Sequence, residues 1–137
     1  MLLSMLSLRR KKNTARYDDA DKSFVFGILD VLGLAHGDAV LEISSESVLS
    51  CDYFAEKFGA YVQHISKKDD FNGGTYELSL MIDVDADFEN LFALARENAE
   101  KVAVIFIKKP SETAREFFLN QNPTANIASG NYEFFLF

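Results

Sequence analysis

The chain has 137 residues, a single cysteine and a formal net charge of −7, from 14 Lys and Arg against 21 Asp and Glu. That length fits one domain burying roughly two-thirds of its unfolded surface, and a hydrophobic content of 48% excludes a disordered chain. One cysteine, Cys51, excludes an intrachain disulfide and a cysteine-based zinc cluster, and no stretch approaches the roughly 20 apolar residues of a membrane span.

The charge is uneven. Arg9, Arg10, Lys11, Lys12 and Arg16 face no acid within residues 1–16, which leaves a balance of −12 on residues 17–137. An acidic body argues against a nucleic-acid-binding face, although the basic tail could touch phosphates weakly. Residues 1–20 therefore read as a basic, flexible N-terminal tail and 21–137 as a single α/β domain. The start, MLLSMLSL before RRKK, puts its charge after the apolar run, the reverse of a secretory signal. A frayed segment is expected there, with a short surface-anchoring helix as the other reading. Cytoplasmic localisation is the default expectation.

The first predicted helix runs from Asp21, as its cap, to Leu34, with Phe24, Ile28, Val31 and Leu32 on one face and Gly33 and Gly37 bracketing its end. Ala39–Ile43 reads as a buried strand. After a Ser/Glu loop, Val48, Cys51, Ala55 and Phe58 at helical spacing predict a second helix that stops at Gly59. Cys51 there reads as a small buried apolar residue. Tyr61–Ile65 is the second strand, SKKDDFNGG a loop, and Thr75–Ile82 the third strand. Asp87 then caps a helix with Phe88, Leu91, Phe92 and Ala95 as its buried stripe. The unbroken apolar run Val102–Ile107 predicts a strand covered on both faces. Ser111 opens a short helix to Asn120, residues 122–131 read as a loop, and Tyr132–Phe137 as a final strand packed into the sheet.

Alternating helices and strands give a three-layer α/β/α sandwich with a mainly parallel sheet of about five strands, in the order second, first, third, fourth, last.

The stretch LGLAHGDAVLEISSESVLSCDYFAEKFGAYVQHIS resembles the class I S-adenosylmethionine-dependent methyltransferases, from their first motif to the end of their second strand. The resemblance implies a Rossmann-like fold. In that family a strand ending in an acid leads into a glycine-rich loop around the cofactor's methionine end, and an acid ending the second strand takes the ribose hydroxyls. Here Glu42 stands at the first acid, Ser44, Glu46 and Val48 stand where the loop glycines would be, and Ser66 stands at the ribose acid. Glycine permits positive φ and lets backbone lie against a ligand with no Cβ between. Serine is tolerable, whereas Glu46 and Val48 add bulk and Glu46 adds a carboxylate facing the cofactor's own. Each departure costs on the order of 1–3 kcal/mol of binding. The segment between Ser66 and Thr75 is also too short for the family's third strand and its crossover helix. By this resemblance, Glu42, Ser44, Ser45, Glu46, Ser66 and Asp83 line a vestigial pocket.

Several rival readings attach to single features. Asp83, Asp85 and Asp87 alternate at a strand end and could bind Mg²⁺, but helix capping accounts for them, and no metal site is expected. Ser45, His64 and Asp83 could form a hydrolase triad, without the Gly-x-Ser-x-Gly elbow that such a site needs. His36 and His64 have no second His or Cys at ligand spacing and read as structural. The pairs Lys67-Lys68 and Lys108-Lys109 read as solvated strand ends.

The preferred expectation is thus a degenerate methyltransferase-like domain, a pseudoenzyme with no cofactor, acting as a scaffold or protein-interaction module for a protein partner or for self-association into an oligomer. An active, divergent S-adenosylmethionine-dependent methyltransferase on a small molecule or protein is the alternative. A nucleotide- or phosphate-binding regulator is a third reading.

Overall fold

The computed structural model describes residues 17–137. The readings placed on residues 1–16, a basic tail or a surface-anchoring helix, lie outside them. Helix α1 spans Asp19–Leu32, strand β1 Ala39–Ile43, helix α2 Asp52–Phe58 and strand β2 Tyr61–Ile65. A 3-10 turn at Lys68–Asp70 follows, then β3 (Tyr76–Ile82), α3 (Phe88–Asn98), β4 (Ala99–Phe106), α4 (Glu112–Asn120), β5 (Ala125–Ser129) and β6 (Tyr132–Leu136).

The six strands lie in the order β2-β1-β3-β4-β6-β5. The first four are mutually parallel, and β6 runs antiparallel to both β4 and β5. The predicted order therefore stands, and one strand is added: β5 lies inside the stretch read as a loop. Ser129 pairs with Tyr132 around Gly130-Asn131, a two-residue hairpin that returns the chain along the sheet edge.

Two apolar layers enclose the sheet. On one face α1 and α2 place Val25, Phe26, Leu29, Phe54 and Phe58 over Val40, Leu80 and Ile105. On the other, α3 and α4 place Leu91, Phe92, Ala114 and Phe118 over Leu41, Met81, Val104 and Phe135. Alternate residues of β1, β3 and β4 thus serve opposite layers, which is why these strands carry so few polar residues. Ser79 is one of them: its hydroxyl is fully buried and has no hydrogen-bond partner.

Two helix starts differ from the sequence reading. Asp18, not Asp21, is the N-cap of α1. Its carboxylate accepts from Asp21 N–H at 2.8 Å while the Asp21 carboxylate accepts from Asp18 N–H at 3.1 Å, a reciprocal capping box. Of the predicted face, Phe24, Ile28 and Leu32 pack half-buried against the core beside the buried Val25, Phe26 and Leu29, while Val31 points outward at 85% exposure. In α2, Cys51 is the half-buried N-cap, and Phe54 and Phe58, one turn apart, carry the buried face. Val48 precedes that helix and Ala55 is exposed on it, so their spacing with Cys51 and Phe58 only mimicked a helical stripe.

A long-range clasp joins the first helix to the last strand. Tyr132 stacks on Phe24 with ring centroids 4.5 Å apart, and its hydroxyl donates to Asp21 at 2.8 Å. That hydrogen bond holds the Tyr132 phenol above its ordinary pKa of 10.0.

Candidate functional site

In open α/β sheets ligands bind beyond the carboxyl ends of the parallel strands, so the loops after β1, β2, β3 and β4 define the candidate crevice. The loop after β1 is built around one buried carboxylate. Glu42 is fully buried near the end of β1. Its side chain accepts hydrogen bonds from the Ser47 hydroxyl at 2.6 Å, the Val48 N–H at 2.6 Å and the Ser44 hydroxyl at 3.1 Å. The Ser44 hydroxyl also lies 3.0 Å from the Glu46 carbonyl. These three bonds fold residues 44–48 back onto the strand that precedes them.

The apolar residues that follow lock this arrangement. Val48 and Leu49 are buried in the layer formed by α1 and α2, although they belong to no helix. A loop whose side chains reach the core cannot lift away without opening a void. His64, one strand over, places Nε2 2.9 Å from the Ser44 carbonyl, so that nitrogen carries the proton and donates across the tips of β1 and β2.

The six residues singled out from sequence fall into separate places. Glu42 and Ser44 meet in the buried cluster just described. Ser45 and Glu46 are exposed on the same loop. Ser66 is exposed at the end of β2, where its N–H and hydroxyl both lie 3.4 Å from the Asp70 carboxylate. Asp83 binds a different partner set. One oxygen accepts from the Ile107 and Lys108 N–H groups at 2.7 and 3.1 Å, and the other from the Tyr17 hydroxyl at 3.3 Å. Asp83 thereby ties the end of β3 to the end of β4, in a left-handed conformation with φ of 53°.

The acidic trio shares no ligand point. Asp85 accepts from Ser111 N–H and, at 2.7 Å, from its hydroxyl, while Ser111 caps α4 through Ala114 N–H. Asp87 occupies the N-cap of α3 but forms no cap hydrogen bond; it accepts from Asn90 Nδ2 at 2.8 Å instead. Among the described residues no three His, Cys, Asp or Glu side chains converge as a metal ion would require. The hydrolase triad is not assembled either, because His64 Nε2 bonds Ser44, not Ser45, and Asp83 is engaged at β4.

Asp83 lines a cavity of about 220 Å³ with Asp85, Phe106, Lys108, Lys109 and Pro110. A larger one, about 580 Å³, lies between α1 and the start of α2 and is lined by Phe26, Asp30, Cys51 and Tyr53 among others, none of them a residue singled out from the motif. Sequence reasoning missed Ser47, whose hydroxyl makes one of the two shortest bonds to Glu42, and Asp70, which the 3-10 turn carries to the tip of β2. The five-residue step from Glu42 to Ser47 has no periodic signature.

No helix of the described residues is long and apolar enough to cross a membrane. No family model matches the chain, and no curated protein sequence matches it. Solved structures do. Magnesium protoporphyrin IX methyltransferase (ChlM) from Synechocystis PCC 6803 with bound SAM aligns at 12% identity over 83% of this chain and 75% of that one, with a TM-score of 0.50. The same enzyme with bound SAH aligns at 9% identity over 98% and 93%, with a TM-score of 0.51. The 16S rRNA methylase ArmA aligns at 11% identity over 95% of both chains, with a TM-score of 0.47. At such identities the likeness is one of fold: the chain has a class I methyltransferase-like, Rossmann-like architecture.

Proposed function

We propose that this domain is a methyltransferase-like scaffold that takes no S-adenosylmethionine and acts by binding protein. The observation that carries the reading is the occupancy of the Glu42 carboxylate by Ser44, Ser47 and Val48 of its own loop. In a cofactor-binding loop of this fold, glycines leave backbone N–H groups free to meet the ligand. Here the Val48 N–H is turned inward to the acid, and the Val48 side chain is packed in the core. The acid, an amide and the space between are all taken by the chain itself. ChlM holds its SAM on a similar fold, and the loop chemistry around Glu42 is what supports the loss of cofactor here.

Calorimetric titration with S-adenosylhomocysteine tests this reading. Silence up to millimolar ligand is the expected result, and a micromolar dissociation constant would overturn it. One observation favours the alternative of an active enzyme: Asp70, held against Ser66, sets a carboxylate at the tip of β2 after all. On that reading S-adenosylhomocysteine binds, and Asp70→Ala weakens it at least tenfold by removing a ribose acceptor, about 1.4 kcal/mol or more.

A further inference from the structure

Strand β2 is an open edge of the sheet, because residues 66–75 after it contain only the 3-10 turn and then enter β3. Tyr61 N–H donates to Asp38, and the Ile65 carbonyl accepts from Ser44 N–H, so residues 61, 63 and 65 direct their backbone groups toward β1. The groups of Val62 and His64 then point away from the sheet, two donors and two acceptors in a row with no strand beside them among the described residues. Natural edges are blunted by Lys, Pro or a bulge. This one has none: Tyr-Val-Gln-His-Ile contains no Lys, Arg, Asp or Glu, pairs regularly with β1 throughout, and exposes Tyr61 at 72% and Val62 at 37%.

Resting on the reading of the domain as an interaction module, we propose that β2 pairs antiparallel with β2 of a second copy, joining two sheets into one of twelve strands. The edge is complementary to itself. With Gln63 on the two-fold axis, Val62 of each copy faces His64 of the other, and the two pairs exchange four N–H···O bonds. Tyr61 then lies across from Ile65 of the second copy, covering exposed aromatic surface, and no like charges meet within the strand. The other open edge, β5, cannot complete a closed pair with β2. A β2–β5 contact is heterologous and propagates into a filament, whereas β2–β2 closes at two. Five residues of edge bury far less than the roughly 1,600 Å² of a standard interface, so the dimer dissociates on dilution.

The experiment is sedimentation of the full chain over a hundredfold concentration range, with amide hydrogen exchange at both extremes. A monomer–dimer equilibrium is expected, with exchange at Val62 and His64 slowed at least tenfold at high concentration and that at Tyr61 unchanged. Val62→Pro removes one outward donor and leaves the β1 pairing intact; Val62→Lys adds an exposed charge. Both variants should sediment as monomers while keeping the wild-type circular dichroism. A wild-type monomer throughout, filaments, or a dimer that survives both variants would overturn the proposal. These outcomes are independent of the S-adenosylhomocysteine titration, so failure of the edge pairing and failure of the scaffold reading are told apart.

Discussion

The Glu42 carboxylate and the Val48 N–H, six residues apart, meet at 2.6 Å inside the protein, and that contact closes the loop over the end of β1. Glu42→Ala leaves the Val48 N–H and the Ser47 hydroxyl without their acceptor, while the Ser44 hydroxyl keeps the Glu46 carbonyl. An expected loss is about 2–4 kcal/mol, read as a fall in the chemical-denaturation midpoint. Glu42→Gln, which keeps one acceptor oxygen, should lose roughly half as much. Equal stability of Glu42→Ala and wild type would remove the loop-locking role.

Ser79 gives the opposite sign. Its buried hydroxyl finds no partner at the centre of β3. Ser79→Ala discards the desolvated group and leaves a void no larger than one oxygen atom. A gain of about 1 kcal/mol is expected in urea denaturation, at an unchanged m-value.

Gly59 ends α2 at a φ of +58°, and a Cβ built there would collide with the His36 ring. Gly59→Ala should cost about 1–3 kcal/mol, from left-handed strain plus the clash. His36→Ala in the same chain relieves the clash alone, so the double-mutant cycle should return a favourable coupling of 0.5 kcal/mol or more, in the range of about 0.5–3 kcal/mol for touching residues.

Tyr132 predicts a pH response. Because the hydrogen bond to Asp21 raises its folded-state pKa above 10.0, the clasp is complete below that pH and is lost as pH climbs through the raised value. Asp21→Asn should bring the Tyr132 titration back toward 10.0, as followed by the ring carbon chemical shift against the other tyrosines. A midpoint unmoved by the substitution would sever the link to Asp21.

What the sequence made legible follows from what each residue has to satisfy. Val102–Ile107 is legible because a strand buried on both faces is almost wholly apolar, and β1 is legible for the same reason apart from Glu42, whose buried side chain is satisfied by its own loop. The strand Ala125–Ser129 was not, since it has one large apolar side chain, Ile127, which is itself 58% exposed at the outer edge. Its available signal was the Gly130-Asn131 pair, a two-residue hairpin signature ahead of a clear final strand. The motif residues were placed correctly in the chain, with Glu42 near the end of β1 and Ser66 just past β2. Their fate was not legible, because whether a carboxylate faces a ligand or its own loop depends on tertiary contacts such as Ser47 and Val48. Likewise Asp83 reads as one of three alternating acids, but its amide partners lie 24 and 25 residues away, just past the end of β4.

The Tyr132–Asp21 clasp spans 111 residues of chain. A contact that distant carries a large loop-closure cost and is expected to form late, with little contribution to the folding transition state. Tyr132→Phe, which keeps the ring and deletes the hydroxyl, should therefore leave the refolding rate nearly unchanged and raise the unfolding rate severalfold. On that outcome the clasp sets how long a folded molecule lasts, not how quickly one forms.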